Sequence, residues 1–141
     1  MRLPGKVPRR GNTKIIWLWF TKADIDQVIA WLIENDYLNE ARFATRFAGG
    51  KFRMKKWGRV KIKQALQQRK ISAYNINTAL EEINETAYLK ALQGLASGKW
   101  HSLKSDTVLV KKMKATRYLL QKGYEKNLIQ HELNKLTMQQ V

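Results

Sequence analysis

The residues of this sequence best suited to chemistry are the basic side chains between residues 51 and 71. This segment holds nine lysines and arginines and no aspartate or glutamate. Cations at this density attract polyanions, either nucleic acid or an acidic protein surface, and charge alone does not distinguish the two. Apolar residues recur through the segment at helical spacing, so we expect a folded basic surface rather than a disordered tail.

Composition limits what the rest of the chain can be. The 141 residues carry 27 Lys and Arg against 11 Asp and Glu, a formal net charge of +16, and 44% of them are apolar, which is enough to form a core. The absence of cysteine excludes disulfides and thiolate chemistry and fits a reducing compartment. The longest apolar run, residues 15–20, is far shorter than the roughly 20 residues of a membrane span, so no membrane segment is expected.

A catalytic or metal site is not predicted. The sequence has no Walker-type phosphate loop, no nucleophile beside a base, and no set of His, Asp and Glu at metal-ligand spacing. His101 and His131 are isolated from each other and from any pair of carboxylates. We therefore expect a binding protein rather than an enzyme, with no cofactor, no metal and no small-molecule substrate.

An internal repeat of about 50 residues gives the basic segment its structural setting. A shift of 51 residues superimposes apolar residues of one copy on those of the next, and a further shift of 53 reaches a third copy. The pattern predicts an all-α fold of tandem three-helix repeats, elongated and curved. The second shift relates Ile71, Ile76, Leu80 and Ile83 to Tyr124, Ile129, Leu133 and Leu136.

The repeat also divides the chain into four segments. Residues 1–12 are predicted to form a basic irregular arm, because proline and glycine are frequent there. Residues 13–37 are predicted to form a truncated first repeat, in which Thr21 and Asp24 are placed to cap the last helix. A complete second repeat is expected over residues 38–85 and a third over residues 86–137.

Three short helices are predicted in the second repeat. Asn39 is a candidate N-cap for the first helix, and Gly49 and Gly50 favour a kink or an early end. A second helix is expected after the turn near residue 58, and Ser72 is the predicted cap of the third. Trp57 is expected to be a core or lid residue of the turn rather than a base-stacking group. The residues to which we assign a structural role are Phe43, Phe47, Trp57, Gly58, Ile62 and Leu66.

The third repeat is predicted to follow the same plan. Ser105 or Asp106 is the predicted N-cap of its second helix, and Gly123 is the glycine expected just past the end of that helix. The last helix is expected over roughly residues 125–137. The apolar face of the second helix is assigned to Leu109, Met113, Thr116 and Leu120.

One continuous pattern links the first two repeats to the basic segment. Its residues are Trp31 to Ala44 (WLIENDYLNEARFA), then Phe47, Lys51, Arg53, Trp57, Gly58, Arg59, Ile62, Leu66, Ile71 and Ser72. In order, spacing and residue type this pattern resembles the RecX family of bacterial RecA regulators, and the match runs from about Thr21 to Leu136. The resemblance implies three tandem three-helix repeats and a cytoplasmic protein that binds along the groove of RecA filaments. It also implies that the protein modulates, usually inhibits, ATP hydrolysis, strand exchange and coprotease activity.

The chain departs from the family pattern at two points. The first repeat is predicted to be incomplete, because residues 1–20 hold a basic arm and an apolar run, which could end a second helix, and no first helix is visible in the sequence. Lys70 occupies the position at which Gly123 stands in the next repeat, so the turn before Ser72 must close without a glycine.

The resemblance identifies the partner, and the charge pattern identifies the surface that contacts it. We predict a RecA filament as the partner, with DNA bound mainly through the filament and only weakly alone. The alternative is a free-standing nucleic-acid-binding helical protein. The predicted contact residues are Arg42, Arg46, Lys51, Arg53, Lys55, Lys56, Arg59, Lys61 and Lys63 in the second repeat, and Lys111, Lys112, Lys114 and Arg117 in the third.

Overall fold

The computed structural model describes residues 21–139, except for the side chain of Tyr37. Within this range the chain forms helices and no strand, which confirms the predicted all-α fold. The predicted arm, residues 1–12, and the predicted opening of the first repeat, residues 13–20, lie outside the described residues. The helices are α1 (Lys22–Lys55), α2 (Arg59–Gln68), α3 (Ala73–Glu81), α4 (Glu85–Ser102), α5 (Val108–Lys122) and α6 (Lys126–Gln139).

The chain divides into two units, with the boundary between residues 40 and 41. In the first unit, the start of α1 is closed by the predicted capping pair. The backbone N–H of Asp24 donates to Thr21 Oγ1 at 3.2 Å, and the backbone N–H of Thr21 donates to Asp24 Oδ2 at 3.1 Å. These two bonds satisfy donors that a helix start leaves without a partner inside the helix.

The predicted helix start at Asn39 is wrong. Helix α1 runs without a break from Lys22 to Lys55, so Asn39 lies inside it, and the predicted border between residues 37 and 38 also falls inside this helix. No glycine or proline lies between residues 22 and 48, so nothing forces the chain out of the helix at Asn39. Further along, Gly49 and Gly50 do not end the helix either, because Ala48 and Phe52 on either side of them are anchored in the core.

One apolar cluster forms the core of the second unit. Helices α4, α5 and α6 pack on one another, and α2 packs on α3. The largest fully buried side chains are those of Trp100, Tyr88 and Tyr124. The smaller members include Ala44, Ala48, Ile62, Leu66, Ile76, Ala79, Leu92, Ala96, Ala115, Leu119, Ile129 and Leu133.

The start of α3 confirms the prediction for Ser72, and the start of α5 corrects another. Ser72 Oγ accepts a hydrogen bond from the backbone N–H of Asn75 at 3.3 Å. At α5 the N-cap is Thr107 rather than Ser105 or Asp106. The Asp106 carboxylate is engaged elsewhere, because it pairs with Lys114 Nζ at 3.0 Å.

Two residues at equivalent positions of the second and third repeats adopt left-handed backbone. Gly123 ends α5 with φ of 95°, as the prediction of a helix-ending glycine requires. Lys70 has φ of 59°, so the turn before Ser72 does close without a glycine, in a conformation that a residue with a side chain adopts at some cost.

The face that α5 buries differs from the predicted apolar face. Its buried residues are Lys111, Ala115 and Leu119. Leu109 is 70% exposed and Met113 is 60% exposed. The prediction failed because α5 has two apolar stripes, and a periodic pattern does not say which of the two packs inward.

Candidate functional site

Three aromatic rings lie together on the surface of the second repeat. Helix α1 presents Phe43 and Phe47 one turn apart, with 5.7 Å between the ring centroids. Trp57, in the turn after α1, packs edge-on against Phe47 at 6.4 Å. Phe43 is 42% exposed, and the other two rings are half-buried against the core. The turn after α1 is thereby held close to the helix that precedes it.

Three cations lie against these rings. Lys51 Nζ is 4.9 Å from the centroid of Trp57, and Lys61 Nζ is 4.5 Å from the same centroid. The guanidinium carbon of Arg69 is 4.6 Å from the centroid of Phe47. Such contacts hold a cation in place without neutralising it. We call Phe43, Phe47, Trp57, Lys51, Lys61 and Arg69 the cation–aromatic cluster.

Arg42, Arg46 and Arg53 form a second basic feature on α1, which we call the arginine stripe. At about 100° per residue these three fall within about 40° of one another, and they span about 16 Å along the helix. All three side chains are exposed. The Arg53 guanidinium lies over Gly49, where an added Cβ would meet its Nη1 at 2.8 Å, so the glycine leaves room for it.

Most of the predicted contact residues of the second repeat are exposed and form no ion pair with the described residues. Within residues 21–139, the arginine stripe takes part in no ion pair, and neither do Lys55, Lys56 and Lys63, which are also exposed. Lys51 and Lys61 contact rings rather than carboxylates. The surface therefore carries positive charge that no acid of the described chain compensates.

Arg59 differs from the other predicted contact residues of the second repeat, because its guanidinium forms ion pairs with carboxylates of the same chain. Arg59 Nη1 donates to Glu125 Oε2 at 2.8 Å, and Nη2 pairs with Glu85. The guanidinium carbon lies 3.9 Å from the centroid of the Tyr88 ring. Arg59 thus links the start of α2 to α4 and to the residue before α6.

The hydroxyl of Tyr88 completes this network. It accepts a hydrogen bond from the backbone N–H of Arg59 at 2.9 Å and donates one to Glu125. Burial, together with the hydrogen bond to Glu125, raises the pKa of Tyr88 far above its ordinary value. Burial alone would lower the pKa of Arg59, but its hydrogen bonds to Glu125 and Glu85 raise that pKa overall. The network therefore consists of a fixed cation, its carboxylates and a neutral phenol.

Next to the network, the turn after α1 docks on the turn that follows α5. The backbone N–H of Gly58 donates to the carbonyl oxygen of Lys122 at 2.7 Å, and that of Val60 donates to the carbonyl oxygen of Gly123 at 2.9 Å. The hydroxyl of Tyr124 donates to the carbonyl oxygen of Lys56 at 2.9 Å. Burial, followed by the charge of nearby Glu125, raises the pKa of Tyr124 to about 12, so this donor keeps its proton. Hydrogen bonds at Lys56, Gly58 and Val60 thus hold the turn after α1 in place.

The four predicted contact residues of the third repeat do not share one environment. Lys111 is 4% exposed, and its Nζ lies 4.4 Å from the centroid of Trp100, so it is not on the surface. Lys114 pairs with Asp106, and Lys112 Nζ donates to Asn134 Oδ1 at 3.2 Å. Arg117 is exposed.

Arg69 is the one cation of the cation–aromatic cluster that was not among the predicted contact residues. It belongs to the basic segment, but it lies at the end of α2 and reaches Phe47, which is 22 residues earlier in the sequence. The run of positive charge was the available signal, and the pairing with Phe47 depends on how α1 and α2 pack.

The described residues show neither a metal-ligand cluster nor a membrane-spanning helix. Within 21–139 no group of three or more His, Cys, Asp and Glu side chains is placed to hold a metal ion. No helix in the same range is long and apolar enough to cross a membrane.

The fold and the surface define a helical-repeat protein whose exposed functional groups are cations and aromatic rings. Two family models match the chain: the second three-helix domain of RecX over residues 39–80 and the third over residues 86–133. The chain belongs to the RecX family.

Similar proteins are regulatory proteins of this family. The regulatory protein RecX of Shigella sonnei (strain Ss046) is 34% identical over 104 residues, and that of Cronobacter sakazakii (strain ATCC BAA-894) is 36% identical over 104 residues. Each match covers 74% of this chain and 61% of the relative, so it spans about three fifths of the length of these relatives. The crystal structure of RecX from Lactobacillus salivarius has a similar fold, with a TM-score of 0.68 and 22% identity, covering 89% of this chain and 81% of that chain.

Proposed function

We propose that this protein regulates a RecA recombinase, most simply as an inhibitor, by binding along the groove of the RecA–DNA filament. It would lower ATP hydrolysis, strand exchange and coprotease activity, and so act in bacterial DNA repair, recombination and the SOS response in the cytoplasm. Membership of a family of regulatory proteins supports the general class. Binding alone would account for the effect, without catalysis or a cofactor.

The observation that carries the proposal is the uncompensated positive surface of the second repeat. The arginine stripe lies on α1, whose buried face is anchored in the core, and the cations of the cation–aromatic cluster lie against aromatic rings, so the backbone positions of these charges are fixed. Fixed cations suit a partner with regularly spaced negative charge, such as DNA phosphates or the acidic side chains of a protein filament.

Occupation of the groove explains how a binding protein could slow the filament. A ligand in the groove would exclude a second DNA and would hinder the subunit motion that accompanies ATP turnover. Repeats that each contact a neighbouring filament subunit would bind more tightly together than any one alone. Inhibition would therefore need no single strong contact.

The proposal is tested by measuring ATP hydrolysis by RecA on single-stranded DNA as this protein is added. The wild type is expected to reduce the rate. The variant Arg42→Glu, Arg46→Glu, Arg53→Glu is expected to lose most of the effect, because it reverses the charge of the arginine stripe. A matched control is Lys90→Glu, Lys104→Glu, Lys126→Glu, which makes the same change in net charge at exposed positions outside the stripe.

Two outcomes would contradict the proposal in different ways. If the two triple variants lost the effect equally, net charge rather than the arginine stripe would be responsible. If the wild type left ATP hydrolysis unchanged at concentrations well above that of RecA, yet bound naked DNA tightly, the protein would be a free-standing nucleic-acid binder. Circular dichroism of each variant checks that the helices are intact.

A further inference from the structure

Helix α5 carries an apolar stripe that the described chain leaves exposed. Leu109 is 70% exposed, Met113 60% and Leu120 46%, and Thr116 lies between the last two on the same face. The spacing of these four residues is four, three and four, which is the a and d spacing of a coiled-coil seam. We call Leu109, Met113, Thr116 and Leu120 the α5 seam.

Cations flank this seam at e and g positions, whose charges determine which partner a coiled-coil helix binds. With Met113 and Leu120 at a positions, Lys112 occupies a g position and Arg117 an e position. Lys112 is held by its hydrogen bond to Asn134, and Arg117 forms no ion pair with the described residues 21–139. Helix α5 as a whole has five Lys and Arg residues and no Asp or Glu. An occupant would therefore need negative charge beside its apolar residues.

The charge of the chain itself argues against two simple occupants. A second copy that used the same face would bring Lys112 and Arg117 against their own counterparts. Residues 1–20 hold five Lys and Arg and no acid, so they also lack the complementary charge. In both cases like charges would meet at a surface that is being desolvated, which is unfavourable.

We propose that the α5 seam binds an acidic amphipathic α-helix of a partner protein, with Met113 and Leu120 as apolar anchors and Lys112 and Arg117 as the charged flanks. An amphipathic helix buries residues spaced at three and four against such a stripe. Met113 is unbranched and adapts to the shape of the partner. This inference goes beyond the proposed RecA regulation, because its apolar anchors lie outside the arginine stripe and the cation–aromatic cluster and it does not depend on a filament.

The test uses the full chain and labelled helical peptides of about 21 residues, which is three heptads. The first peptide has Leu at a and d and Glu at e and g, where mutual repulsion keeps it from pairing with itself. The second has Ser in place of every Leu, and the third has Lys in place of every Glu. Fluorescence anisotropy is expected to show that the first peptide binds at least about tenfold more tightly than the other two.

Variants of the seam then locate the binding surface. Met113→Ser with Leu120→Ser is expected to weaken binding of the first peptide by about tenfold or more. Met138→Ser, which removes a methionine that is 77% exposed on α6, is expected to leave it unchanged. Lys112→Glu with Arg117→Glu is expected to weaken binding of the first peptide and to reduce its preference over the third.

Equal affinity for the first and second peptides would overturn the proposal, because only charge would then be recognised. Unchanged binding by the Met113 and Leu120 double variant would also overturn it. If that double variant lost affinity for a single-stranded oligonucleotide to the same degree, the seam would be a nucleic-acid surface instead. None of these measurements contains RecA, so a failure here is separate from a failure of the proposed regulation.

Discussion

The hydroxyl of Tyr88, on α4, is hydrogen-bonded to two other parts of the second unit. It receives the backbone N–H of Arg59 from the start of α2 and donates to Glu125, the residue before α6. The ring of Tyr88 also packs between Phe52 and Tyr124, at centroid distances of 5.7 and 5.2 Å. One side chain therefore combines apolar packing with hydrogen bonds to the start of α2 and to the residue before α6.

Replacing Tyr88 by Phe separates these two contributions. The variant Tyr88→Phe keeps the ring but removes the hydroxyl, so the Arg59 N–H and the Glu125 carboxylate each lose a buried partner. We expect the free energy of unfolding to fall by about 1–3 kcal/mol, measured by urea denaturation. The matched control is Tyr74→Phe, at a tyrosine that is 69% exposed, and it is expected to have almost no effect. Equal stability of the two variants would show that the hydroxyl of Tyr88 adds nothing.

The sequence could not separate Arg59 from the other cations of its segment. Its carboxylate partner Glu125 is 66 residues away, and nothing local marks one arginine of a basic run as the one that points inward. Lys111 was placed among surface contacts for the same reason, although it lies over Trp100 in the core. The density of charge was visible in the sequence, but the direction of each side chain depends on tertiary packing.

At the scale of elements, two turns of the second unit lie very close together. Gly58 and Gly123 bring their backbones together, and an added Cβ at Gly58 would meet the carbonyl oxygen of Gly123 at 2.3 Å and the nitrogen of Tyr124 at 2.5 Å. Both obstacles are backbone atoms, which cannot turn aside as a flexible side chain could. The docking of the second repeat on the third therefore requires glycine at position 58.

The substitution Gly58→Ala is predicted to be strongly destabilising. A single methyl group would push the two turns apart and break the hydrogen bonds of Gly58 and Val60 to the turn after α5. We expect a loss of about 3 kcal/mol or more in the free energy of unfolding. Gly94→Ala, inside α4 with nothing within 4 Å of the added Cβ, is expected to raise stability by about 0.5–1 kcal/mol. Thermal denaturation is expected to show a lower melting temperature for Gly58→Ala and a higher one for Gly94→Ala than for the wild type.

Repetition in the sequence pointed to one feature that no local signal marked. The shift of 53 residues paired Lys70 with Gly123, and both adopt left-handed backbone at the end of a helix. In contrast, Asn39 looked like a helix start because asparagine is a common N-cap, yet an asparagine caps only where the chain leaves the helical conformation. A pattern that recurs in two repeats reflects the same tertiary packing twice. A candidate capping residue reports only on the residues next to it in the sequence.

At the scale of the whole molecule, the net charge of +16 and the arginine stripe make different contributions to binding. Net charge acts at long range, is screened by salt, and draws any polyanion to the protein. Cations that touch phosphates release counterions, and each adds to the slope with which affinity falls as salt rises. Salt dependence therefore reports how many cations make contact, and not only how many are present.

This difference predicts the behaviour of the chain with single-stranded DNA in the absence of RecA. Each neutralised phosphate contributes a slope of about −0.7 in log affinity against log salt concentration, so Arg42→Ala, Arg46→Ala, Arg53→Ala is expected to reduce the slope by up to about 2. The control Lys90→Ala, Lys104→Ala, Lys126→Ala lowers the net charge equally and is expected to leave the slope nearly unchanged. Anisotropy of a labelled thymidine oligonucleotide, titrated at several salt concentrations, measures both. Equal slopes for the two variants would mean that DNA alone is held by the general positive field, and that the arginine stripe does not contact phosphates.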